Sequence, residues 1–241
     1  MSPLAAAHSE WLKIRSVRAS WGSLLAIFGV PSAVTVLVHA TAGGAEDADP
    51  LFGAFFALVF GQIAALCFGA TAAGAEYRNG ALRVSLAAVP RRGLLYGAKT
   101  AVILGAALLT GLVTGFLSFL AGQAFLGSEA LTLGDPGVLR ACVGAGIQLA
   151  LMALLAAGLT VLLRSAVAVL SLLIPFLLIV SFVVGDIAGG AAAYLPDRAG
   201  QQVLHAHPEG PLGAWQGLAV CAAWAALATL AGWWAIRRRD A

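Results

Sequence analysis

The sequence predicts an all-α integral membrane protein with six transmembrane helices. Of its 241 residues, 61% are hydrophobic and only 10% are charged, and the mean hydropathy is +0.93. A soluble domain carries about a quarter charged residues, so this chain cannot cover a water-exposed surface. Six charge-free runs of 21 residues or more are long enough to cross the hydrocarbon core of a bilayer. The composition therefore excludes a soluble enzyme, a nucleic-acid-binding module and a disordered protein.

The six runs form one predicted transmembrane domain that covers residues 1-241. Because they are apolar on all faces, with no alternation of apolar and polar residues, they predict helices rather than strands. The predicted spans lie at about 20-42, 51-74, 100-126, 138-163, 166-185 and 213-236.

The orientation follows from the distribution of Lys and Arg, which favour the cytoplasmic side of a membrane. If the N-terminus is cytoplasmic, 12 of the 14 basic residues lie inside and only Arg140 and Arg198 lie outside. Eight of the 11 acidic residues then lie outside. We therefore predict that both termini are cytoplasmic. The excess of Ala, Gly and Arg is typical of a GC-rich bacterial genome, so we expect a multi-pass protein of the bacterial cytoplasmic membrane.

Turn residues predict how the spans are joined. Asp49-Pro50 and Asp135-Pro136 precede the second and fourth spans, where Asp can cap the first turn and Pro fits the first helical position. The fourth and fifth spans form a tight inner hairpin at residues 164–165. A proline in the middle of the fifth span, Pro175, predicts a kink.

The segment before the first span predicts a helix on the inner membrane surface. On a helical wheel an apolar stripe is formed by Trp11, Ile14, Val17 and Trp21. Lys13 and Arg15 lie off this stripe, whereas Arg18 falls at its edge, so the amphipathicity is imperfect. Trp beside Lys and Arg is suited to the headgroup layer.

The inner connection between the second and third spans, residues 76–99, is longer than a hairpin requires. Asn79-Gly80 marks a turn, and the next eight residues predict a short helix with Leu82 and Leu86 on one face. Such a segment is typical of a contact with another molecule. A basic loop that only enforces the topology is the alternative at this point.

The sequence contains no recognisable catalytic, cofactor or metal site. The series Gly93, Gly97, Lys99 and Thr100 imitates a nucleotide-binding P-loop, but its spacing is wrong and no strand is predicted before it. A second pattern, H-x-H-x-E at residues 205–209, reads as ordinary loop residues because two alternate His share a metal only in an extended segment. No Asp, Glu, Lys or Arg lies near the centre of a span, which disfavours a self-sufficient ion-driven carrier.

Three stretches resemble the type-2 ABC transporter permease family. Residues 9–21, SEWLKIRSVRASW, are similar to the family's N-terminal interfacial helix, typically E-W-x-K-x-R-S. Residues 74–92, GAEYRNGALRVSLAAVPRR, are similar to its first cytoplasmic loop, in which G-E-Y-x-x-G precedes an apolar helix and P-R-R. Ala75 departs from this pattern by standing between Gly74 and Glu76. The last five residues, RRRDA, match a frequent ending.

The resemblance implies a dimeric translocation pathway made by two six-helix subunits, either identical or different, in membrane lipid. Separate ATP-binding cassette subunits would bind ATP and Mg²⁺ and drive export. The chain itself would hold no cofactor and no ATPase site, and would bind no nucleic acid. The outer segment 186–213, which could re-enter the membrane, corresponds to the family's short re-entrant helices between the fifth and sixth spans.

The resemblance also assigns residues to the two cytoplasmic elements. Coupling to the ATPase partner falls to Glu76, Tyr77, Arg78, Gly80, Leu82, Leu86, Arg91 and Arg92. The interfacial helix, a second docking element, carries Glu10, Trp11, Lys13, Arg15, Arg18 and Trp21. A carboxylate beside lipid is costly unless it is paired, so we expect Glu76 to contact either Arg78 or a basic group of the partner.

Other functions remain open at this stage. They are a secondary carrier or channel, an intramembrane enzyme, and a non-transporting membrane subunit of an ABC-like complex. The permease of an exporter agrees best with the quoted stretches. Its cargo is not encoded in a motif, although an apolar interior suits hydrophobic drugs, peptides or lipid-like molecules.

Overall fold

All regular structure in the computed structural model is helical over the residues that it describes, which are 2–42, 49–77, 81–88, 91–126, 130–180, 183, 189–208 and 210–238. In chain order the helices are α1 (Pro3–Ser16), α2 (Arg18–Ala42), α3 (Pro50–Phe55), α4 (Leu58–Gly74), α5 (Ala81–Ala88), α6 (Arg92–Gln123), α7 (Val138–Leu163), α8 (Ala166–Pro175), α9 (Pro196–Gln201) and α10 (Ala214–Arg238). Three short 3₁₀ turns lie at Ala75–Tyr77, Gly189–Tyr194 and Gln202–Leu204, and a π-helical stretch, Phe176–Val180, follows α8.

Five helical segments of the described chain are long and apolar enough to cross a membrane. They are Arg18–Thr41, Leu51–Tyr77, Arg92–Gln123, Val138–Leu163 and Ala214–Arg238. The predicted fifth span begins as a shorter apolar helix, Ala166–Ile179. Its outer end falls on residues 181, 182 and 184–188, which lie outside the described residues, so a sixth complete crossing stays a prediction.

The third crossing begins eight residues before the predicted start at residue 100. Helix α6 has 32 residues, which at a rise of about 1.5 Å per residue gives roughly 48 Å. This exceeds the hydrocarbon thickness of about 30 Å, so the helix extends beyond the apolar layer. The start of this helix was predicted too late because Arg92 and Lys99 interrupt the apolar run.

The caps of the helices confirm one Asp-Pro prediction and correct the other. Asp49 accepts hydrogen bonds from the backbone N–H groups of Leu51 and Phe52, both at 3.1 Å, and so caps α3 as predicted. The predicted cap by Asp135 is wrong. Its carboxylate accepts from the backbone N–H of Thr132 at 2.6 Å, which closes a local turn, and α7 begins instead after Gly137.

Two prolines lie within membrane helices, and the structure accommodates each differently. Pro31 in α2 has no N–H to bond the carbonyl of Ile27 one turn earlier. Thr114 of α6 donates to that carbonyl at 3.2 Å and satisfies it. At Pro175 the helix changes from α to π, so the predicted irregularity in the fifth span lies at this residue.

Helix α7 occupies the centre of the bundle and packs against α4, α6, α8 and α10. Small residues allow these helices to approach closely. A Cβ added to Gly115 of α6 would lie 2.5 Å from the carbonyl oxygen of Cys142, and one added to Gly69 of α4 would overlap that of Ala153. Gly111 and Gly115, one turn apart on α6, therefore allow close packing against α7.

The outer segment after α8 folds back onto the bundle. Helix α9 packs against α7 and α10, and Gln148 Nε2 of α7 donates to the carbonyl of Asp197 at 3.3 Å. Short helices are therefore present where they were expected, whereas their re-entry into a membrane stays a prediction.

The topology can be tested with cysteine labelling. In a variant whose three native cysteines are replaced, we expect an impermeant maleimide to label Leu133→Cys on the outer side of intact cells and to leave Ala87→Cys unlabelled. Both positions are exposed, so a difference reports the side of the membrane. Permeabilised cells serve as the control, in which both should react. If only Ala87→Cys were labelled in intact cells, the topology would be the opposite of the predicted one.

Candidate functional site

Four charged side chains meet at the end of the bundle that is predicted to face the cytoplasm, which we call its inner end. Glu10 and Lys13 come from α1, Glu76 from the 3₁₀ turn after α4, and Lys99 from the third turn of α6. Three segments that are far apart in the sequence are therefore joined at one point. We call this cluster the charge ring.

The ring is closed, and its charges alternate in sign. Lys13 Nζ lies 2.7 Å from Glu10 Oε1 and 2.7 Å from Glu76 Oε1. Lys99 Nζ contacts Glu10 Oε2 and lies 3.2 Å from Glu76 Oε1. Each ammonium thus bridges both carboxylates, and the four formal charges cancel.

Burial makes the pairing of these charges necessary. The side chains of Glu10, Glu76 and Lys99 are 2%, 5% and 8% exposed, and only Lys13 reaches solvent, at 37%. Removing charges from water costs several kcal/mol per ion, and good geometry offsets that cost only while every partner is present. The ring therefore adds little to the net free energy of folding. It strongly disfavours any arrangement of its three segments in which one of the charges lacks its partners.

Lys13 stays charged at physiological pH. Burial is the largest single influence and lowers the pKa of Lys13, but the hydrogen bonds and charges of Glu10 and Glu76 together outweigh it, so its pKa rises above the ordinary 10.5. A raised lysine pKa stabilises the fold fully below the unfolded pKa and loses that contribution as pH rises through the folded pKa. This part of the ring therefore persists throughout the neutral range.

Helix α5 is attached to the ring through Ser85, because Lys13 Nζ donates to Ser85 Oγ at 3.0 Å. Leu82 is buried in the core at 8% exposure, and Leu86 packs against the core. The opposite face of the helix presents Arg83 and Val84 to the outside, with Val84 73% exposed. One face of α5 is thus fixed to the bundle, and the other is available to a partner.

The first turns of α6 are also joined to the end of α10. Arg92 Nη1 donates to the carbonyl of Ile236 at 3.1 Å, where a cation is favourable at a helix C-terminus. One turn later Tyr96 donates through its hydroxyl to the carbonyl of Thr229 at 2.7 Å. The inner ends of α1, α4, α5, α6 and α10 are therefore connected through polar contacts.

The predicted coupling residues separate into different environments. Glu76 lies in the ring, Arg91 is exposed, and Arg92 contacts α10. The Tyr77 hydroxyl lies 3.5 Å from the carbonyl of Val161 in α7. Arg78 and Gly80 lie outside the described residues.

The helix that was predicted to be interfacial, α1, packs one face against the bundle, while its position on a membrane surface stays a prediction. Ala6, Glu10 and Ile14 form its buried stripe. Trp11 is half-buried, whereas Arg15, Arg18 and Trp21 are exposed. Burial of Glu10 is explained by Lys99, which the sequence analysis left unassigned.

Sequence reasoning missed both lysines as partners of Glu76. Within the described residues Glu76 contacts Lys13 and Lys99, whereas the expected contact with Arg78 lies outside those residues and stays a prediction. Lys99 lies inside a helix rather than in a nucleotide loop. One signal could have revealed this: the chain has 12 Arg and only two Lys, Lys13 and Lys99. A compact ammonium can bridge two carboxylates, whereas the planar guanidinium of Arg favours one carboxylate bidentately.

A second polar cluster fastens the outer end of the bundle. Asp49 Oδ2 accepts from the backbone N–H of Ala206 at 3.0 Å and lies 3.3 Å from His205 Nδ1. The His205 ring stacks on Phe52 at 4.0 Å between centroids, and Arg140 donates to the His205 carbonyl. Among the described residues no group of His, Cys, Asp and Glu could hold a metal ion. These contacts secure the loop after α9.

The sequence that forms the charge ring and α5 matches a known protein family. Residues 7–184 match the family described as ABC-2 family transporter protein. The chain belongs to the ABC-2 transporter permease family. The matched region contains the whole charge ring and every helix from α2 to α8. No curated protein and no solved structure gives a match.

The family defines the general role of this permease. It is a multi-pass membrane protein and a membrane transporter subunit, and its family implies an ABC transporter with an ATP-binding partner. ABC-2 permeases are membrane translocation subunits and not ATPases themselves.

Removing one carboxylate should destabilise the permease strongly. Glu10→Gln leaves the buried ammonium of Lys99 and the partly exposed one of Lys13 with a single carboxylate, and loss of one partner of a buried pair costs about 3–5 kcal/mol. We expect the apparent unfolding temperature in detergent to fall for Glu10→Gln and to recover largely in Glu10→Gln with Lys99→Met, which removes both charges. The exposed Arg83→Gln is the matched control and should stay near wild type. Equal unfolding temperatures for Glu10→Gln and wild type would show that the ring does not stabilise the fold.

Amine-reactive labelling should report the state of the ring, because its two lysines are the only ones in the chain. Only a neutral amine reacts, so the raised pKa of Lys13 and the burial of Lys99 should make both slower than the N-terminal amine. Because the pKa of Lys13 is raised above the ordinary 10.5, Lys13 should still be protected at a pH at which an ordinary lysine has become reactive. Mass spectrometry of the labelled peptides measures this. Rapid labelling of both lysines at neutral pH in the folded protein would contradict the ring.

Proposed function

We propose that this chain is the membrane-spanning permease subunit of an ATP-driven exporter and is energised by a separate ATP-binding subunit through α5. The observation that carries the proposal is the link between Ser85 and the charge ring at 3.0 Å. Through it a short helix with an outward face is joined to the ends of the membrane helices. ATP and Mg²⁺ would bind to the partner.

The proposed coupling depends on which helices would move when α5 is displaced. Lys13 contacts Ser85 and Glu76 with the same ammonium, so movement of α5 acts on α1 and on the end of α4. Lys99 carries the displacement into α6. Because packed interfaces tend to switch between discrete arrangements, ATP-driven movement of the partner would move α4 and α6 as rigid levers.

A cavity of about 950 Å³ beside this junction supports a translocation role. Its polar side includes Lys13, Ser16, Glu76, Ser85 and Arg164, and its apolar side includes Val17, Val167 and Leu170. It lies next to the elements that α5 would move. A lining that combines an apolar wall with a few charged groups suits an amphiphilic cargo.

A second permease subunit, identical or different, would complete the pathway. Helix α8 buries one face against α4 and α7. The apolar side chains of Val167, Leu172 and Ile179, in α8 and the π-helical stretch after it, are more than half exposed. Such a surface suits lipid or a second membrane subunit. We propose the dimer on this basis, with both termini on the cytoplasmic side of a bacterial membrane.

The coupling proposal can be tested without knowledge of the cargo. Ser85→Ala removes the link between α5 and Lys13 and leaves all four charges in place. With Cys142 and Cys221 replaced, the half-buried Cys67 of α4 becomes a reporter. We expect ATP with vanadate to change the maleimide labelling rate of Cys67 in the assembled wild-type complex, and Ser85→Ala to lose most of this change.

The matched control is Ser16→Ala, since Ser16 lines the same cavity but its hydroxyl bonds only within α1, to the carbonyl of Lys13. It should respond to ATP like wild type. A full ATP response in Ser85→Ala at equal membrane abundance would refute coupling through this contact. A wild-type complex in which ATP never changes Cys67 labelling would favour a non-transporting membrane subunit.

A further inference from the structure

We infer that the outward face of α5 docks onto an acidic surface of the ATP-binding partner that surrounds a small apolar recess. The inference rests on the proposed function and specifies the chemistry of the partner's surface. The docking face consists of Arg83, Val84 and Ala87 of α5 with Arg91 just beyond it, all of them exposed.

The charge ring removes the negative charge from this side of the molecule. Among the described residues on the predicted cytoplasmic side, the carboxylates are those of Glu10 and Glu76, and both are buried in the ring. The exposed charges there are arginines, and two of them, Arg83 and Arg91, lie in α5 and just beyond its end. The face around α5 is therefore cationic, and its complement is a surface rich in carboxylates.

The orientation of α5 gives the docking face its apolar centre. Leu82 and Leu86 point to the core, and the Ser85 hydroxyl is bonded to Lys13. Val84 is left outward at 73% exposure, flanked by Arg83. An apolar side chain surrounded by charges resembles the centre and rim of a protein interface.

A membrane surface is a poorer occupant of this face. A helix that lies in a bilayer turns its large apolar residues toward the lipid, whereas α5 turns both of its leucines toward the protein. Tryptophan beside arginine suits the headgroup layer, and at the end of α10 Arg237 and Arg238 lie over the rings of Trp233 and Trp234 at 4.6 and 5.2 Å. The α5 sequence, ALRVSLAA, has no aromatic residue that could pair with Arg83 in this way.

The inference is tested by a photo-crosslinking amino acid at Val84 in the full chain, irradiated in native membranes. We expect an adduct with an ATP-binding cassette protein, at a peptide that contains Asp or Glu next to the crosslinked residue. Adducts with lipid, with a second permease copy or with no protein would overturn the inference. An adduct with the ATPase at a surface without carboxylates would overturn the inference and leave the proposed function standing.

Charge reversal then tests complementarity. Arg83→Glu should reduce recovery of the complex with that ATPase by roughly five- to tenfold, because attraction becomes repulsion. Replacement of the crosslinked carboxylate by Arg should restore it. Arg238→Glu is the control and should change recovery by less than about twofold. Recovery of Arg83→Glu at the wild-type level would refute the acidic surface even if Ser85→Ala uncouples the complex.

Discussion

The fold depends on the neutralisation of four charges at the inner edge of a very apolar bundle. An isolated carboxylate or ammonium in that position would be prohibitively costly, and each is tolerated because two opposite charges lie within contact distance. Pairing of this kind fixes the position of one segment relative to another more than it stabilises the whole. It explains why an N-terminal helix, a turn and the base of a long membrane helix meet at one place.

The proposed coupling through α5 rests on the same constraint. A contact between apolar side chains can slide, whereas the ring can open only by exposing charges to an apolar surrounding. A movement of α5 would therefore displace the helices joined to the ring rather than be lost in a local rearrangement. Arg92 extends the connection to α10 through the Ile236 carbonyl. The inner half of the permease combines a rigid junction with the cavity that lies beside it.

Membrane crossings and local caps were predictable where a single stretch of chain determines them. Long apolar runs predicted the membrane crossings, and the Asp49-Pro50 pair predicted the start of a helix. The prediction failed at Asp135, where a nearby Thr competes for the carboxylate, and at the start of α6, where Lys99 interrupts the apolar run. The ring itself was not predictable from local pattern, since Glu10 and Lys99 are 89 residues apart and each alone resembles an ordinary interfacial charge.

The order of the ring's residues along the chain has a consequence for biosynthesis. All four charges lie within the first 99 residues, so the ring can close when the third predicted span has been inserted and half of the crossings are still to be made. A nascent chain would then already hold its costly charges in a neutral arrangement before α7 enters the centre of the bundle. The junction that is proposed to receive force from the ATPase would thus form before α7 to α10 are in place, and these helices would assemble around it.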